Sequence, residues 1–213
     1  KKLLPTYKGN RTVKDRLHRT EAFNSVEEES QSMRTQLLRI VEYLKKLPVT
    51  CISIDNIEAD DTIAHLTNQY FNESAKKVII VSTDRDFLQL VSDRVSVFSP
   101  TKKIIYTPEV LQKEFDFHPN NYIIYRVLTG DSADNIPGIK GVGLKSLKKI
   151  LDLSEEVTLS KVQEQLLEKK KTTKLKIISD ILDNWKQVEL NYKLMQLDDT
   201  QISASSKLII QNL

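Results

Sequence analysis

Apolar residues follow two different spacings along this chain, and each spacing predicts a different kind of element. Between Leu37 and Leu47 they recur every three or four positions, which predicts an amphipathic helix that begins near Ser25 and ends before Pro48. Short apolar runs bounded by polar residues predict buried strands instead. Because these strands alternate with helices, the expected class is α/β, with a mostly parallel sheet flanked by helices. The expected strands are Val49–Ile54, Lys77–Ser82, Val95–Phe98 and Ile104–Tyr106, and the expected helices around them are Ala59–Phe71, a short one from Asp84, one from Pro108 and Asn120–Leu128.

The two ends of the chain differ in character from this middle part. Residues 1–24 are polar and basic without a clear period, so a flexible or partly helical loop is expected there. A glycine-rich turn at Gly138–Gly143 precedes a lysine-rich helix at Leu144–Leu151, and the rest is helical by period to about Leu197. We therefore expect two domains, an α/β core over residues 1–125 and a helical region over residues 126–213.

Composition and charge exclude several classes of protein. The 213 residues include 39% hydrophobic and 29% charged side chains, and no apolar run approaches the ~20 residues of a membrane span. The single cysteine, Cys51, lies in an apolar run and is expected to be a small buried side chain. One cysteine allows no disulfide within the chain, which favours a cytoplasmic protein. The net charge is only +3, but basic residues dominate the first nineteen positions, which favours contact with a phosphate backbone.

Acidic residues cluster at three places in this weakly basic chain. Carboxylates that are brought together raise one another's pKa unless a positive charge neutralises them. Mg²⁺ takes oxygen ligands and bridges carboxylates to phosphates, and two such ions can hold the attacking and leaving oxygens of a phosphodiester displacement. We therefore predict a metal-dependent nuclease. The predicted ligands are Glu58, Asp60 and Asp61, then Asp84 and Asp86, then Asp131 and Asp134.

The first two clusters are expected at one edge of the sheet. Residues 57–61 (IEADD) and 82–86 (STDRD) each follow a predicted strand, and open parallel sheets bind ligands beyond the carboxyl ends of their strands. Acids in a first helical turn also stabilise the helix dipole, which is the alternative explanation of each cluster taken alone. Phosphatases with an aspartyl nucleophile also carry two aspartates at the spacing of Asp84 and Asp86. However, Phe87 and Leu88 stand where that chemistry needs a hydroxyl residue.

The third cluster precedes a candidate DNA-binding turn. Asp131 and Asp134 lie in the segment TGDSADNIPG, and residues 138–143 then read GIKGVG. Glycines allow a backbone to approach a phosphate closely, although a helix-linking turn is the ordinary explanation of such a sequence. Set between two helices, the segment is typical of a helix-hairpin-helix, which grips duplex backbone without reading sequence. The expected contacts are Gly138, Lys140, Gly141, Gly143, Lys145 and Lys148.

Five motifs in order resemble the 5′ nuclease (flap endonuclease) superfamily: YKGNR at residues 7–11, IEADD, STDRD, GDSADNIPG and GIKGVG. The chain is most similar to phage 5′–3′ exonucleases of the phage RNase H type and to the 5′–3′ exonuclease domain of bacterial DNA polymerase, over about residues 3–151. This resemblance implies a PIN-like α/β core, with a helical arch at about residues 1–24 and a helix-hairpin-helix region after the core. It also implies a role in DNA replication, in the host cytoplasm if a phage encodes the protein.

The same resemblance implies roles for individual residues. The acids of the three clusters match ligands of two magnesium ions, for which Mn²⁺ can substitute. Lys8 matches a lysine at the base of the arch that contacts the scissile phosphate, and Arg11 matches its basic companion, so both are expected catalytic residues. The hairpin at residues 138–143 is similar to the family's potassium-assisted grip on duplex DNA. Tyr7 and Arg126 are further expected DNA contacts.

Family members carry two further acids ahead of the arch, the first on the opening strand of the sheet, and this sequence begins after both. We therefore expect a fragment with an incomplete first metal site and without the N-terminal strand. The predicted function is a structure-specific 5′ nuclease that cuts branched or nicked DNA, including 5′ flaps, and RNA–DNA hybrids in primer or flap removal. A monomer is expected, with replication proteins as further partners. The alternatives are a non-catalytic branched-DNA-binding module and a compact RNA nuclease, and the hairpin disfavours the second of these.

Overall fold

A computed structural model describes residues 4–6, Phe23, 25–55, 57–70, 77–198 and 202–211. The chain forms two compact units, a larger one of residues 1–11 and 60–201 and a smaller one of residues 12–59 and 202–213. Most of the arch expected at residues 1–24 lies outside the described residues. No helix in the described part of the chain has the length and apolar character needed to cross a membrane.

The main sheet of the larger unit has its strands in the order β1 (Val78–Val81), β2 (Val95–Ser99) and β3 (Ile104–Tyr106), which confirms three predicted strands. The central strand β2 pairs in parallel with β1 and antiparallel with β3. This register places Ile80, Val97 and Tyr106 in one line across the sheet, and all three side chains are buried. A second, two-stranded sheet pairs β4 (Gly130–Asp131) antiparallel with β5 (Ile136–Pro137).

The prediction of a strand at Val49–Ile54 is wrong, because these residues have no regular secondary structure. Val49 is 51% exposed, and Cys51, which was predicted to be buried, is also exposed. An apolar run becomes a strand only where a neighbouring strand satisfies its backbone groups, and no described strand pairs with this segment. The apolar composition of the run therefore indicated neither its conformation nor its burial.

The smaller unit contains α1 (Val26–Leu44) and α9 (Ala204–Gln211), of which only α1 was predicted. Ser25 caps α1 by accepting a hydrogen bond from the Glu28 amide at 3.1 Å. Glutamates in the first turn add a favourable interaction with the helix dipole. No residue of α1 is buried against the described part of the chain, and Leu38 is 66% exposed. The spacing of apolar residues thus predicted the helix, while its apolar stripe remains exposed.

Most of the core of the larger unit lies among its helices. A first helix, α2 (Ala59–His65), continues into a short π-helix, Leu66–Tyr70, and the two together cover the described part of the helix predicted over Ala59–Phe71. The six α-helices that follow in the described part of this unit all cover segments predicted to be helical. In chain order the helices after the main sheet are α3 (Pro108–Phe115), α4 (Tyr122–Thr129), α5 (Leu144–Ile150), α6 (Leu159–Thr172), α7 (Lys176–Asp183) and α8 (Trp185–Met195). Their fully buried side chains include Leu111, Ile124, Leu128, Leu147, Ile150, Leu166, Ile178 and Ile181.

Candidate metal centre and nucleic-acid interface

The second acidic cluster begins directly where β1 ends. Ser82 Oγ accepts a hydrogen bond from the Asp84 amide at 3.0 Å, and Asp84 Oδ1 accepts one from the Asp86 amide at 2.9 Å. Asp84 thereby caps a short 3-10 helix, Arg85–Leu90, whose apolar side chains are buried in the core. These local bonds fix Asp86 beyond the carboxyl end of β1, at the edge of the sheet where ligands of α/β proteins bind.

The third cluster is positioned by two backbone segments that cross closely. At the end of α4, Gly130 has a φ of 73°, a left-handed conformation that glycine adopts without strain. A Cβ at Gly130 would lie 2.2 Å from the Gly138 nitrogen, and one at Gly138 would lie 2.0 Å from the Thr129 carbonyl oxygen. Only glycine fits at either position. The crossing reverses the chain after α4 and brings Asp131 back beside that helix.

Arg126 on α4 joins the second and third clusters. Its Nε and Nη2 donate to Asp86 Oδ1 at 3.0 Å and 2.8 Å, and Nη2 also donates to Asp131 Oδ2. The side chains of Arg126, Asp86 and Asp131 are only 15%, 22% and 17% exposed. The structure thus brings together two acids that lie in separate sequence motifs, and it places a cation between them. Arg126, which the sequence assigned to a DNA contact, is engaged within the protein here.

Burial and charge act in opposite directions on this cluster. Burial raises the pKa of the Asp86 carboxyl, the Arg126 guanidinium offsets part of that rise, and repulsion from Asp84 and Asp131 adds to it. The net direction for Asp86 is upward. Burial lowers the pKa of Arg126, but the neighbouring carboxylates of Asp86 and Asp131 outweigh that effect and raise it. The cluster therefore disfavours its own negative charge and would be stabilised by a further cation.

The remaining predicted ligands are near helix starts or in the loop after α4. Asp60 and Asp61 lie half-buried in the first turn of α2, and Glu58 is exposed just before it. Asp134 is half-buried, and its amide donates to Asp131 Oδ1 at 3.4 Å. Among the described residues, no three acidic, cysteine or histidine side chains are grouped so as to hold one metal ion. The structure therefore assembles Asp86 and Asp131, with Asp84 close enough to raise the pKa of Asp86.

The segment that carries Tyr7, Lys8 and Arg11 lies outside the described residues, but the chain leading to it is anchored at the third cluster. Asn135 Nδ2 donates to the Thr6 carbonyl oxygen at 2.9 Å. Asn135 has a φ of 59°, a left-handed conformation that asparagine adopts more readily than most residues. No pattern in the sequence predicts this contact, because the two residues are 129 positions apart.

The hairpin at residues 138–143 contains two kinds of glycine. Gly138 is needed for packing against Thr129, which differs from the close approach to phosphate predicted for it. A Cβ at Gly141 or Gly143 would instead meet no atom within 4 Å. The Gly143 amide already donates to Ser146 Oγ at 2.8 Å, so it is bonded within the protein. The hairpin therefore offers open space beside its backbone at Gly141 and Gly143.

The three lysines predicted to contact DNA are exposed, and they lie in the hairpin or on the helix α5 that follows it. Lys140 and Lys145 are exposed, and Lys148 Nζ donates to Asp116 Oδ2 at 2.9 Å on the protein surface. Surface ion pairs of this kind contribute little to stability, so Lys148 can exchange its partner for a phosphate at low cost. The hairpin and α5 therefore carry these three exposed positive charges.

A buried amide, Asn191, supports the segment from Gly130 to Pro137 that carries Asp131 and Asp134, called the aspartate loop from here on. Asn191 of α8 donates from Nδ2 to the carbonyl oxygens of Val127 and Pro137 at 2.9 Å and 2.8 Å. Its Oδ1 accepts a hydrogen bond from Gln187 at 2.7 Å. Asn191 therefore links α8 to α4 and to β5, the elements on either side of Asp131. A fully buried asparagine among apolar neighbours could have been suspected from the helical period alone, but its partners could not.

The half-buried amide of Gln89 links the second acidic cluster to the end of α8. Its Nε2 donates to the carbonyl oxygens of Asp86 and Met195 at 2.9 Å and 3.0 Å, and its Oε1 accepts from the Leu197 amide at 2.8 Å. This side chain connects the backbone of a predicted metal ligand to the end of α8. Helix α8 and the residues just after it are thus hydrogen-bonded both to the segment of Asp86 and to the segments on either side of Asp131.

Comparison with known families agrees with this arrangement along nearly the whole chain. The family model for the 5′-3′ exonuclease N-terminal resolvase-like domain matches residues 1–116, and that for the 5′-3′ exonuclease C-terminal SAM fold matches residues 117–209. The chain therefore belongs to the 5′–3′ exonuclease family.

Among the curated relatives are 5′-3′ exonucleases and a bacterial DNA polymerase I. A 5′-3′ exonuclease of Aquifex aeolicus is 32% identical over 171 residues, which is 80% of this chain and 52% of that protein. One from Buchnera aphidicola is 36% identical over 111 residues, 52% of this chain and 38% of that protein. The thermostable DNA polymerase I of Thermus thermophilus is 40% identical over 116 residues, 54% of this chain and 14% of that protein. The chain thus spans about half or less of the length of these relatives.

Solved structures show the same fold. The flap endonuclease of bacteriophage T5, in a complex with DNA and metal ions, superposes with a TM-score of 0.74 at 22% identity over 99% of this chain and 76% of that chain. The T5 5′-exonuclease with bound zinc superposes with a TM-score of 0.68 at 21% identity over the same shares. The fold is therefore the PIN-like α/β nuclease fold with a helical C-terminal region, as predicted.

Proposed function

We propose that this protein is a structure-specific 5′ nuclease that hydrolyses phosphodiester bonds in branched or nicked DNA and in RNA–DNA hybrids, in primer or flap removal. The observation that carries this proposal is the convergence of Asp86 and Asp131 on one cation at the carboxyl edge of the sheet. Family membership supports the same class of reaction, since the curated relatives are 5′-3′ exonucleases.

We also propose that divalent cations bind at this aspartate pair, with Mg²⁺ as the natural ion and Mn²⁺ as a substitute. Carboxylate oxygens are the ligands that Mg²⁺ prefers, and the place where these two meet already holds a positive charge. Two bound ions would neutralise the phosphodiester and lower the pKa of an attacking water. Asp86 and Asp131 would hold them together with the other predicted ligands, Glu58, Asp60, Asp61, Asp84 and Asp134.

Lys8 and Arg11 are proposed to stabilise negative charge that develops on the scissile phosphate. The hydrogen bond from Asn135 anchors Thr6 at the aspartate loop, and Lys8 follows Thr6 by two residues, each of which extends the chain by at most ~3.6 Å. This short separation in sequence supports a role for Lys8 at the aspartate loop. Tyr7, directly after Thr6, is proposed to stack on a base.

The hairpin and its lysines are proposed to grip duplex backbone independently of sequence. The open space at Gly141 and Gly143 allows a phosphate to approach, and Lys140, Lys145 and Lys148 supply positive charge around it. A potassium ion at the hairpin would assist this grip. The two-domain division at residues 125 and 126, a cytoplasmic monomer and contacts with replication proteins belong to the same proposal.

The experiment that tests this function uses a 5′-labelled flap duplex, with a nicked duplex and an RNA–DNA hybrid as further substrates. With Mg²⁺ we expect short labelled products that map near the flap junction, and with EDTA we expect none. Binding to the flap without any cleavage in Mg²⁺ or Mn²⁺ would support the non-catalytic branched-DNA-binding module instead.

A further inference from the structure

The guanidinium of Arg126 occupies the space between two aspartates that are proposed to bind metal. Both Nε and Nη2 donate to the same oxygen of Asp86, and Nη2 also donates to Asp131 Oδ2. Because the three side chains are largely buried, each charge depends on the others for its stabilisation. One positive charge therefore partly balances two negative ones.

The oxygens of Asp131 are already divided between two tasks. Oδ1 accepts hydrogen bonds from the amides of Ala133 and Asp134, at 2.7 Å and 3.4 Å. Oδ2 faces Arg126. A cation that binds Asp131 without disturbing the loop must therefore take Oδ2, which is the oxygen that the guanidinium holds. At Asp86 the guanidinium holds Oδ1, so a cation that takes that oxygen competes with Arg126 there as well.

From this geometry we propose that Arg126 is a built-in counter-ion that holds Asp86 and Asp131 together before metal binds and that competes with the divalent cation for their oxygens. This inference rests on the proposed function, since it takes the two aspartates as metal ligands. Arg126 then has two effects of opposite sign. It stabilises the metal-free fold, because two buried carboxylates would otherwise repel each other, and it weakens metal binding, because an entering ion must displace it.

The variant Arg126→Met separates these two effects, since methionine keeps much of the length of the side chain and removes its charge. Titration of Mn²⁺ into the full chain, followed by the loss of the electron paramagnetic resonance signal of free Mn²⁺, gives the dissociation constant. We expect Arg126→Met to bind Mn²⁺ about tenfold more tightly, because a neighbouring positive charge is removed. We also expect a lower Tm in EDTA and a larger rise in Tm on adding Mn²⁺ than in the wild type.

Two further variants serve as a control and as an intermediate case. Arg85→Met is the matched control, because Arg85 is a neighbouring but 49% exposed arginine that pairs with Glu114, and it should leave the Mn²⁺ affinity unchanged. Arg126→Lys keeps the charge but loses the forked geometry, so its affinity should fall between those of the wild type and Arg126→Met. It also provides the measurement if Arg126→Met does not fold.

The outcomes distinguish this inference from the function on which it rests. Asp131→Asn tests whether Mn²⁺ binding requires Asp131. If it does, but Arg126→Met and Arg126→Lys bind Mn²⁺ with wild-type or weaker affinity, then Arg126 does not compete with the cation, while the proposed metal site is supported. If Arg126→Met lowers Tm equally with and without Mn²⁺, Arg126 is only a structural ion pair. If the wild type binds no Mn²⁺, or binds it independently of Asp131, both the proposed site and this inference fall.

Discussion

The side-chain amide of Asn135 donates a hydrogen bond of 2.9 Å to the carbonyl oxygen of Thr6, although the two residues are 129 positions apart. Asn135 belongs to the aspartate loop, and Thr6 directly precedes the motif of Tyr7, Lys8 and Arg11. The contact therefore links the proposed metal site to the start of the segment that is proposed to contact the phosphate. It connects two motifs that sequence comparison treats separately.

This link predicts a split between two substitutions of Asn135. Asn135→Gly keeps a residue that tolerates the φ of 59° but removes the donor, so we expect nearly wild-type stability and a single-turnover cleavage rate about tenfold lower. Asn135→Ala also strains the backbone and should lose a further ~1 kcal/mol of unfolding free energy. Single-turnover kinetics and urea unfolding measure the two effects. Wild-type cleavage by Asn135→Gly would show that the contact does not position Lys8.

The buried bridge made by Asn191 predicts a large loss of stability from a small chemical change. Asn191→Asp keeps the size of the side chain but cannot donate to Val127 and Pro137, and it buries a charge. We expect the unfolding free energy to fall by about 3 kcal/mol. The control is Asn184→Asp, because Asn184 donates to the Asp180 carbonyl at the exposed end of α7 and should cost well under that amount. Equal losses in the two variants would contradict the bridging role.

The glycines of the hairpin predict opposite outcomes for one substitution. Gly143→Ala places a methyl group in open space on extended backbone, so the fold should be unaffected while duplex affinity falls several-fold for every sequence tested. Gly138→Ala would place its Cβ 2.0 Å from the Thr129 carbonyl oxygen and should destabilise the protein by about 3 kcal/mol. Fluorescence anisotropy with unrelated duplexes, together with thermal unfolding, separates the two. Unchanged affinity in Gly143→Ala would mean that DNA does not approach the hairpin there.

The buried hydroxyl of Tyr122 predicts a pH-dependent contribution to stability. The side chain is 1% exposed, and within the described part of the chain its hydroxyl has no hydrogen-bond partner. Burial raises the pKa of Tyr122 to about 12, from an ordinary value of 10.0. Between these two values the folded state keeps a proton that the unfolded state loses, so stability falls as the pH rises through this window.

Removal of that hydroxyl should therefore have a visible signature. Tyr122→Phe should be at least as stable as the wild type at pH 8, because it removes an unpaired buried polar group. From pH 10 to pH 12 it should lose less stability than the wild type in urea unfolding. The exposed Tyr43→Phe serves as control and should follow the wild type. Identical pH profiles for wild type and Tyr122→Phe would contradict the raised pKa.

Local patterns predicted most elements, because the period of apolar residues and the capping residues act within a few positions. Ser25, Thr107 and Asp84 each cap the helix that the sequence predicted to follow them. The strand prediction at Val49–Ile54 was wrong for a physical reason. A strand needs a partner elsewhere in the chain, and its own composition cannot supply one. The exposed stripe of α1 shows the same limit, because a period indicates which face is apolar but not what covers it.

The site could be predicted only in part for a related reason. Aspartates that follow predicted strands are placed by a general property of α/β sheets, so Asp86 was expected at the edge where it lies. Its bond with Arg126, the bond of Asn135 with Thr6 and the buried bridge of Asn191 join residues far apart in sequence. Such contacts have no spacing that a sequence reveals. The role of Gly138 in packing was likewise visible only once its backbone neighbour was known.

Asp131 is proposed to hold the metal that cleavage requires, and a comparison of two variants tests this role. We compare cleavage of a 5′-labelled flap duplex in Mg²⁺ by Asp131→Asn and by a control variant, Asp93→Asn. Asp93 is an exposed acid just before β2, at the amino end of that strand and therefore at the edge of the sheet opposite to Asp86. We predict that Asp93→Asn cleaves like the wild type, while Asp131→Asn cleaves at least 1,000-fold more slowly, roughly the cost of losing one charge-stabilising group in a transition state, and still binds the flap at least as tightly. Wild-type cleavage by Asp131→Asn would contradict the account.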